Sequence, residues 1–267
     1  MTTTGARARS RPNSLRTFRA VLGRDLYVTA RELPTFLAQV ILQPLFLLFV
    51  FGRVLTDLGY ARGGYADLLF PGIVGLTAVV TGLQSTAFPL VIDFSFTKEI
   101  EDRLLAPAPT DLVAVEKIVY AALRAIVASS VMLPIGEVVL GNIPWRWSAA
   151  PLFAAVVVLG ALVGSTMGLL LGTLVQPNRI NIVFALVLTP LLFTGASQYP
   201  WPSLDRLPWF QLLTAANPLT YVSEGLRAAL VPSVPHIPPG VCLAVLIAST
   251  AAFGWGGILG FRRRALE

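Results

Sequence analysis

Six apolar runs constrain this 267-residue chain more than any other feature, near 36–55, 69–92, 112–140, 150–175, 180–198 and 240–260. Each is close to the about 20 residues that a helix needs to cross a hydrocarbon core about 30 Å thick. The fold class read from them is an all-α membrane protein with six transmembrane helices. The composition agrees, at 55% hydrophobic and only 13% charged residues with a mean hydropathy of +0.73. Six spans and their connections use nearly the whole chain and leave no room for a separate soluble domain of ordinary size. The first run starts only near Phe36 and is long enough to span, so the sequence predicts no secretory signal.

Charge predicts the orientation. With the N-terminus in the cytoplasm, 15 basic residues fall inside and five outside. The five are Arg53, Arg62, Arg146, Arg206 and Arg227. That is the bias of the positive-inside rule. Six crossings return the C-terminus to the same side, where "FRRRALE" agrees. The expected location is a bacterial plasma (inner) membrane, with multiple passes and both termini cytoplasmic. The preference for arginine over lysine (18 to 2) points to a GC-rich bacterium. The basic tails are read as topology determinants and as contacts for membrane lipid. No nucleic-acid partner is expected, because no folded basic domain is there to present one.

Residues 1–33 form the first unit and 34–267 the transmembrane unit. Leu15, Phe18, Leu22, Leu26 and Leu33 share a helical face, with Arg24 and Arg31 opposite. That spacing predicts an amphipathic helix lying on the inner leaflet before the first span. Gly160, Gly164, Gly168 and Gly172 recur every four residues in the fourth run. On a helix they make one smooth stripe that lets a neighbour approach closely. Past the fifth run, Asn217 is a good N-cap and Pro218 a good first helical residue, and Val231-Pro232 ends the helix. A helix of about 13 residues is about 20 Å long. It is too short to span, and it carries Glu224 and Arg227 three residues apart. It is therefore expected at the outer interface or dipping partway in. Trp201 and Trp209 suit the outer headgroup level.

Several chemistries have no residues to carry them. Neither Lys98 nor Lys117 follows a glycine, so there is no phosphate cradle of the Gly-x4-Gly-Lys-Ser/Thr kind. The chain is not expected to be an enzyme or to hold a cofactor of its own. The single cysteine, Cys242, and the single histidine, His236, have no metal-ligand spacing, so no metal is expected. Ionisable residues near the membrane fall on the third run. Glu116, Lys117 and Arg124 lie toward its inner end and Glu137 near its outer end, and snorkelling to the headgroups accounts for most of them.

The connection between runs two and three, "FTKEIEDRLLAPAP", interrupts this apolar chain with a cluster of charge. Phe96, Ile100 and Leu104 are four apart and make an apolar stripe. Glu99–Arg103 and Lys98–Asp102 are i,i+4 pairs of opposite sign that favour a short helix, which Pro107 and Pro109 end. A solvated loop needs no such order, so the pattern favours a docking surface.

Three segments together resemble the permeases of ABC-2 type exporters, near the daunorubicin-resistance and nodulation-export kind. They are the basic amphipathic helix before span one, "KEIEDRLLAPAPTDLVAVEK", and "NPLTYVSEGLRAAL" before the last span. The resemblance covers nearly the whole chain. Members of that family usually carry a glycine-bearing, E-x-G-T-x-E-like version of the charged segment. Here Glu101-Asp102-Arg103-Leu104-Leu105-Ala106-Pro107 keeps its latter half.

The resemblance implies that Phe96, Lys98, Glu99, Ile100, Glu101, Asp102, Arg103 and Leu104 form a coupling helix docked on a separate ABC ATP-binding subunit. ATP and Mg would be bound by that partner. It implies a second permease copy, identical or a close paralogue. It also implies that Asn217, Pro218, Tyr221, Glu224 and Arg227 belong to a re-entrant outer helix. A path between spans two and five would be lined by Thr77, Thr81, Gln84, Phe88, Asn181, Phe184 and Phe193. Aromatic and weakly polar groups of this kind suit a hydrophobic or amphipathic substrate such as a drug, a lipid or a lipid-linked molecule. The rival readings are an ion-coupled secondary transporter, a membrane-embedded enzyme and a non-transport assembly factor. The first needs ionisable residues near mid-membrane and repeated halves. The second needs a clustered nucleophile and base or a metal set.

Overall fold

A computed structural model describes residues 14–60, 64–93, 110–143, 145–176 and 179–266, and among them all regular structure is helical. Helix α1 is Ser14–Arg31. Its Phe18, Leu22 and Leu26 are half-buried while Arg19, Arg24 and Arg31 are exposed, the two-faced pattern expected from its stripe. The chain breaks at Glu32. Helix α2, Leu33–Leu47, then starts with Pro34 in its first turn, where a missing N–H goes unnoticed. Pro44 lies further along, lacks an N–H and crowds the carbonyl four residues back. One turn later the helix widens to π geometry over Leu48–Val54, and a last α-turn, Leu55–Asp57, completes the first crossing.

The remaining helices are α3 (Tyr65–Ile92), α4 (Thr110–Leu140), α5 (Ala150–Leu174), α6 (Ile180–Thr194), α7 (Pro208–Ala215), α8 (Pro218–Leu230) and α9 (Pro239–Leu266). Among the described residues five helical stretches are long and apolar enough to cross a membrane, and they match five of the six runs. The run at 180–198 differs. Helix α6 has 15 residues, about 22 Å at 1.5 Å each, which is by itself shorter than a hydrocarbon core, and its end still reaches α8 at the far face. The reason lies just past its end. Ala196 takes a φ of 49°, a left-handed conformation that L-residues adopt only when something holds them there. The turn it makes points the carbonyls of 195–197 at α8.

Helix α3 is the centre of the molecule. Every residue from Leu69 to Val79 is buried, so it is apolar on all faces rather than on one stripe. Small residues let its neighbours in. A Cβ at Gly72 would lie 1.8 Å from the Ser197 carbonyl oxygen, and one at Gly82 would lie 2.8 Å from that of Ala161. From the other side, a Cβ at Gly164 of α5 would lie 2.2 Å from Val79 O, and one at Gly168 2.5 Å from Leu83 O. Thus α3 and α5 touch backbone to backbone, as small-residue stripes allow. Gly160, one turn earlier, faces Val222 of α8 instead. On the far flank of α5, Gly257 and Gly260 of α9 meet Leu169 and Thr173.

Polar contacts mark one end of the bundle. Thr29 of α1 and Tyr120 of α4 share a hydrogen bond of 2.6 Å, Lys117 of α4 meets Asp93 beyond α3 at 2.7 Å, and Arg262 of α9 forks onto Asp111 of α4. Helices α1, α4 and α9 therefore bring the arginine-rich termini to the same face, and α8 lies at the opposite one.

Candidate functional site

Helix α8 begins where the sequence says it must. Asn217 Oδ1 accepts from the Leu219 N–H at 2.9 Å, and Pro218 supplies the first helical residue. The same Asn217 turns its amide outward from the cap, donating to Leu191 O at 3.0 Å and to Thr194 Oγ1 at 2.9 Å. One side chain thus starts α8 and closes the end of α6. All of α8 is buried except Tyr221.

At its heart lies an ion pair. Arg227 Nη1 donates to Glu224 Oε1 at 2.5 Å, with neither side chain exposed. The rest of the guanidinium is used as well, by Ala196 O (2.7 Å), Ser197 O (3.2 Å) and Leu68 O (3.1 Å). The carboxylate accepts from the Trp201 N–H at 2.9 Å and the Ile237 N–H at 3.1 Å. Ser223 and Thr220 hydroxyls take the carbonyls of Gly195 and Thr194. Burial pushes the Arg227 guanidinium below its usual range, and the Glu224 charge beside it pulls it back up. Two buried charges are tolerable only with such complete partnering.

The pairing of Glu224 with Arg227 matches the expected i,i+3 contact. Both side chains sit inside the protein. Their other partners are backbone groups from α3, the turn after α6 and the loop before α9, at sequence separations of up to 159 residues, which no local spacing reveals. Of the two tryptophans expected at headgroup level, Trp209 is exposed, while Trp201 is held by its indole N–H on Gln211 O.

The opposite end corrects one expectation. Lys117 does not snorkel. It is buried against Asp93, both side chains about one-tenth exposed. Glu116 beside it is also buried. Arg124, one turn above Tyr120, lays its guanidinium over the Phe36 ring at 4.0 Å and near the Tyr120 ring at 5.6 Å, so aromatic faces accommodate that charge. Glu137 is exposed and accepts from the Ile143 N–H.

Between α2, α3 and α6 runs a narrow groove of about 40 Å³. It brings together Thr77, Thr81 and Gln84, three of the residues expected along a path. Gln39, Gln43 and Pro44 of α2 and Leu192 of α6 complete its wall. Phe88 and Phe184 stack at 4.2 Å and join α3 to α6. Phe193 is 63% exposed and does not line the groove, because α6 presents Leu192 there. The Asn181 side chain lies outside the described residues, as does the whole charged segment from Phe96 to Leu104. Sequence reasoning missed Gln39, Gln43 and Asp93. The two glutamines carried a usable signal, since they are polar residues four apart in a span, on one helical face.

An all-helical membrane bundle with a short buried helix between α6 and its last crossing defines a class of polytopic transport subunits. The comparison with known families agrees: residues 16–231 match the ABC-2 type transporter family, and the chain belongs to it. A putative transport permease, ycf38, of Porphyra purpurea is 29% identical over 214 residues, 77% of this chain and 71% of that one. The inner membrane transport permease YadH of Escherichia coli K12 is 27% identical over 208 residues, 76% of this chain and 78% of its own. The ycf38 permease of Cyanophora paradoxa is 28% identical over 218 residues, with 78% and 72% coverage. The chain is therefore a membrane transport permease. It is the transmembrane subunit rather than the ATPase, in a family whose members generally work with an ATP-binding subunit.

Proposed function

We propose that this chain is the permease of an ATP-driven exporter that moves a hydrophobic or amphipathic molecule outward across the plasma membrane. Family membership supplies the transport subunit, and the groove carries the reading of its substrate. The groove offers amides and hydroxyls from Gln39, Gln43, Thr77, Thr81 and Gln84 among apolar walls, and no ionised group among the described residues lines it. Such a surface solvates the neutral polar part of an amphiphile and offers nothing to hold a free ion. Gln39 and Gln43 are exposed on an apolar helix. Facing lipid, their amides would go unsatisfied, which favours a second permease copy against this face. Two ATP-binding subunits would dock beneath, on residues 96–104 of each copy, and would hold ATP and Mg. Their closure would move the coupling segments and open the path between α3 and α6.

The test is co-purification and efflux together. Reversing Glu101→Arg with Arg103→Glu should leave membrane insertion intact, lose the ATP-binding partner from the purified complex and abolish ATP-dependent efflux. Thr81→Val with Gln84→Leu should keep the partner and yield but change efflux of the amphipathic substrate several-fold. Unchanged co-purification and efflux in the charge reversal would reject the docking role. Unchanged efflux in the groove variant would reject the path.

A further inference from the structure

Three consecutive arginines near the end of α9 have three different fates. Arg262 forks onto Asp111 of α4. Arg264 reaches the other way, its Nη1 donating to the Gly172, Thr173 and Val175 carbonyls at 2.9, 3.3 and 2.9 Å, where it caps the C-terminal end of α5. Arg263 is exposed and has no hydrogen-bond or carboxylate partner among the described residues. Successive helical residues point about 100° apart, so a run of three arginines cannot serve one partner.

Arg263 opens onto a cavity. Where α5 ends and α9 runs past it, the helices part and leave a groove of about 450 Å³. Its walls include Leu174 and Leu259, which are 67% and 39% exposed. Gly256 and Gly260 give it a smooth side, and Gln176 stands with Arg263 and Arg264 at its polar end. Among the described residues no acidic one lines it. The groove is open to the surroundings of the bundle at the arginine-rich end, where α5 and α9 both end. Concave, apolar along its length and basic at one end, it has the polarity of a phospholipid laid parallel to the helices.

We propose that this groove binds one anionic phospholipid of the inner leaflet. An acyl chain would run against Leu174 and Leu259, and the phosphate would sit on Arg263 with the Gln176 amide beside it. The same lipid would cover two large exposed apolar side chains and neutralise the one arginine of the three that has no partner among the described residues. The inference depends on the chain lying in a membrane and not on what it exports, so it can fail while the exporter reading stands.

The experiment is lipid titration of the purified full-length chain in detergent, followed by native mass spectrometry, using phosphatidylglycerol and phosphatidylcholine with identical acyl chains. The wild type should retain phosphatidylglycerol preferentially. Arg263→Ala should weaken that retention about fivefold, the worth of one arginine at an anionic membrane surface, and leave phosphatidylcholine unchanged. Arg31→Ala removes the same charge from exposed α1 and should have no effect. Leu259→Trp fills the groove without changing charge and should also lose the bound lipid. Equal losses for Arg263→Ala and Arg31→Ala would mean diffuse attraction and overturn the site, as would equal retention of the two lipids. Displacement by soluble glycerophosphate at the same concentration would mean a phosphate site with no lipid in it.

Discussion

At the scale of single residues, the molecule's strongest commitments are its buried charges. Arg227→Met should leave Glu224 charged in an apolar interior and strip three carbonyls of their donor, costing about 3–5 kcal/mol. The readout is the thermal midpoint of monodisperse protein in detergent, and an unchanged midpoint would show that the hub contributes nothing. Glu224→Gln keeps an acceptor for the Trp201 N–H and should cost less. Asp93 and Lys117 offer a cleaner case. Either single change, Asp93→Leu or Lys117→Met, should destabilise more than the double change, because only the singles leave a buried charge alone. Sequence made the Glu224–Arg227 pair legible because three residues is one helical turn. It hid the partnership of Lys117 because Asp93 lies 24 residues earlier, across the connection between two spans. Charge near a span end reads as snorkelling until its partner is known.

At the scale of elements, apolar length was a sufficient guide to five crossings, and their ends fall within a few residues of the runs. It overstated the helical length of α6, because an apolar run does not show that Gly195 to Ser197 leave the helix to feed carbonyls to α8. The four-residue glycine stripe was legible as a contact surface, but nothing in its spacing says that α3 is the partner. That packing makes a sharp expectation. Gly164→Ala places a methyl 2.2 Å from the Val79 carbonyl oxygen, so the helices must separate and the yield of folded protein should fall sharply. Gly240→Ala meets nothing within 4 Å and should match the wild type in the same size-exclusion assay. Equal yields would show that α3 and α5 are less tightly interlocked than this. The groove was half legible. Thr77, Thr81 and Gln84 lie on the right face of α3, while the choice of Leu192 over Phe193 depends on how α6 is rotated, which one chain's spacing does not fix.

At the scale of the whole molecule, the contacts of α1, α4 and α9 put both ends of the described chain on one side. A reporter fused after Glu267 should therefore read cytoplasmic, and one inserted at Arg146 should read external. An external signal at the C-terminus would reverse the orientation drawn from charge. The hub at the opposite face also sets an order in time. Every acceptor on α6 and in the turn after it is synthesised 23 to 31 residues before the α8 side chain that donates to it, and Leu68 O precedes Arg227 by 159. At about 5–20 residues per second, the ribosome makes these acceptors seconds before the side chains that donate to them. The bundle is thus completed from its last third backward. A chain halted before Asn217 is an open structure fit for proteolysis, not a smaller permease.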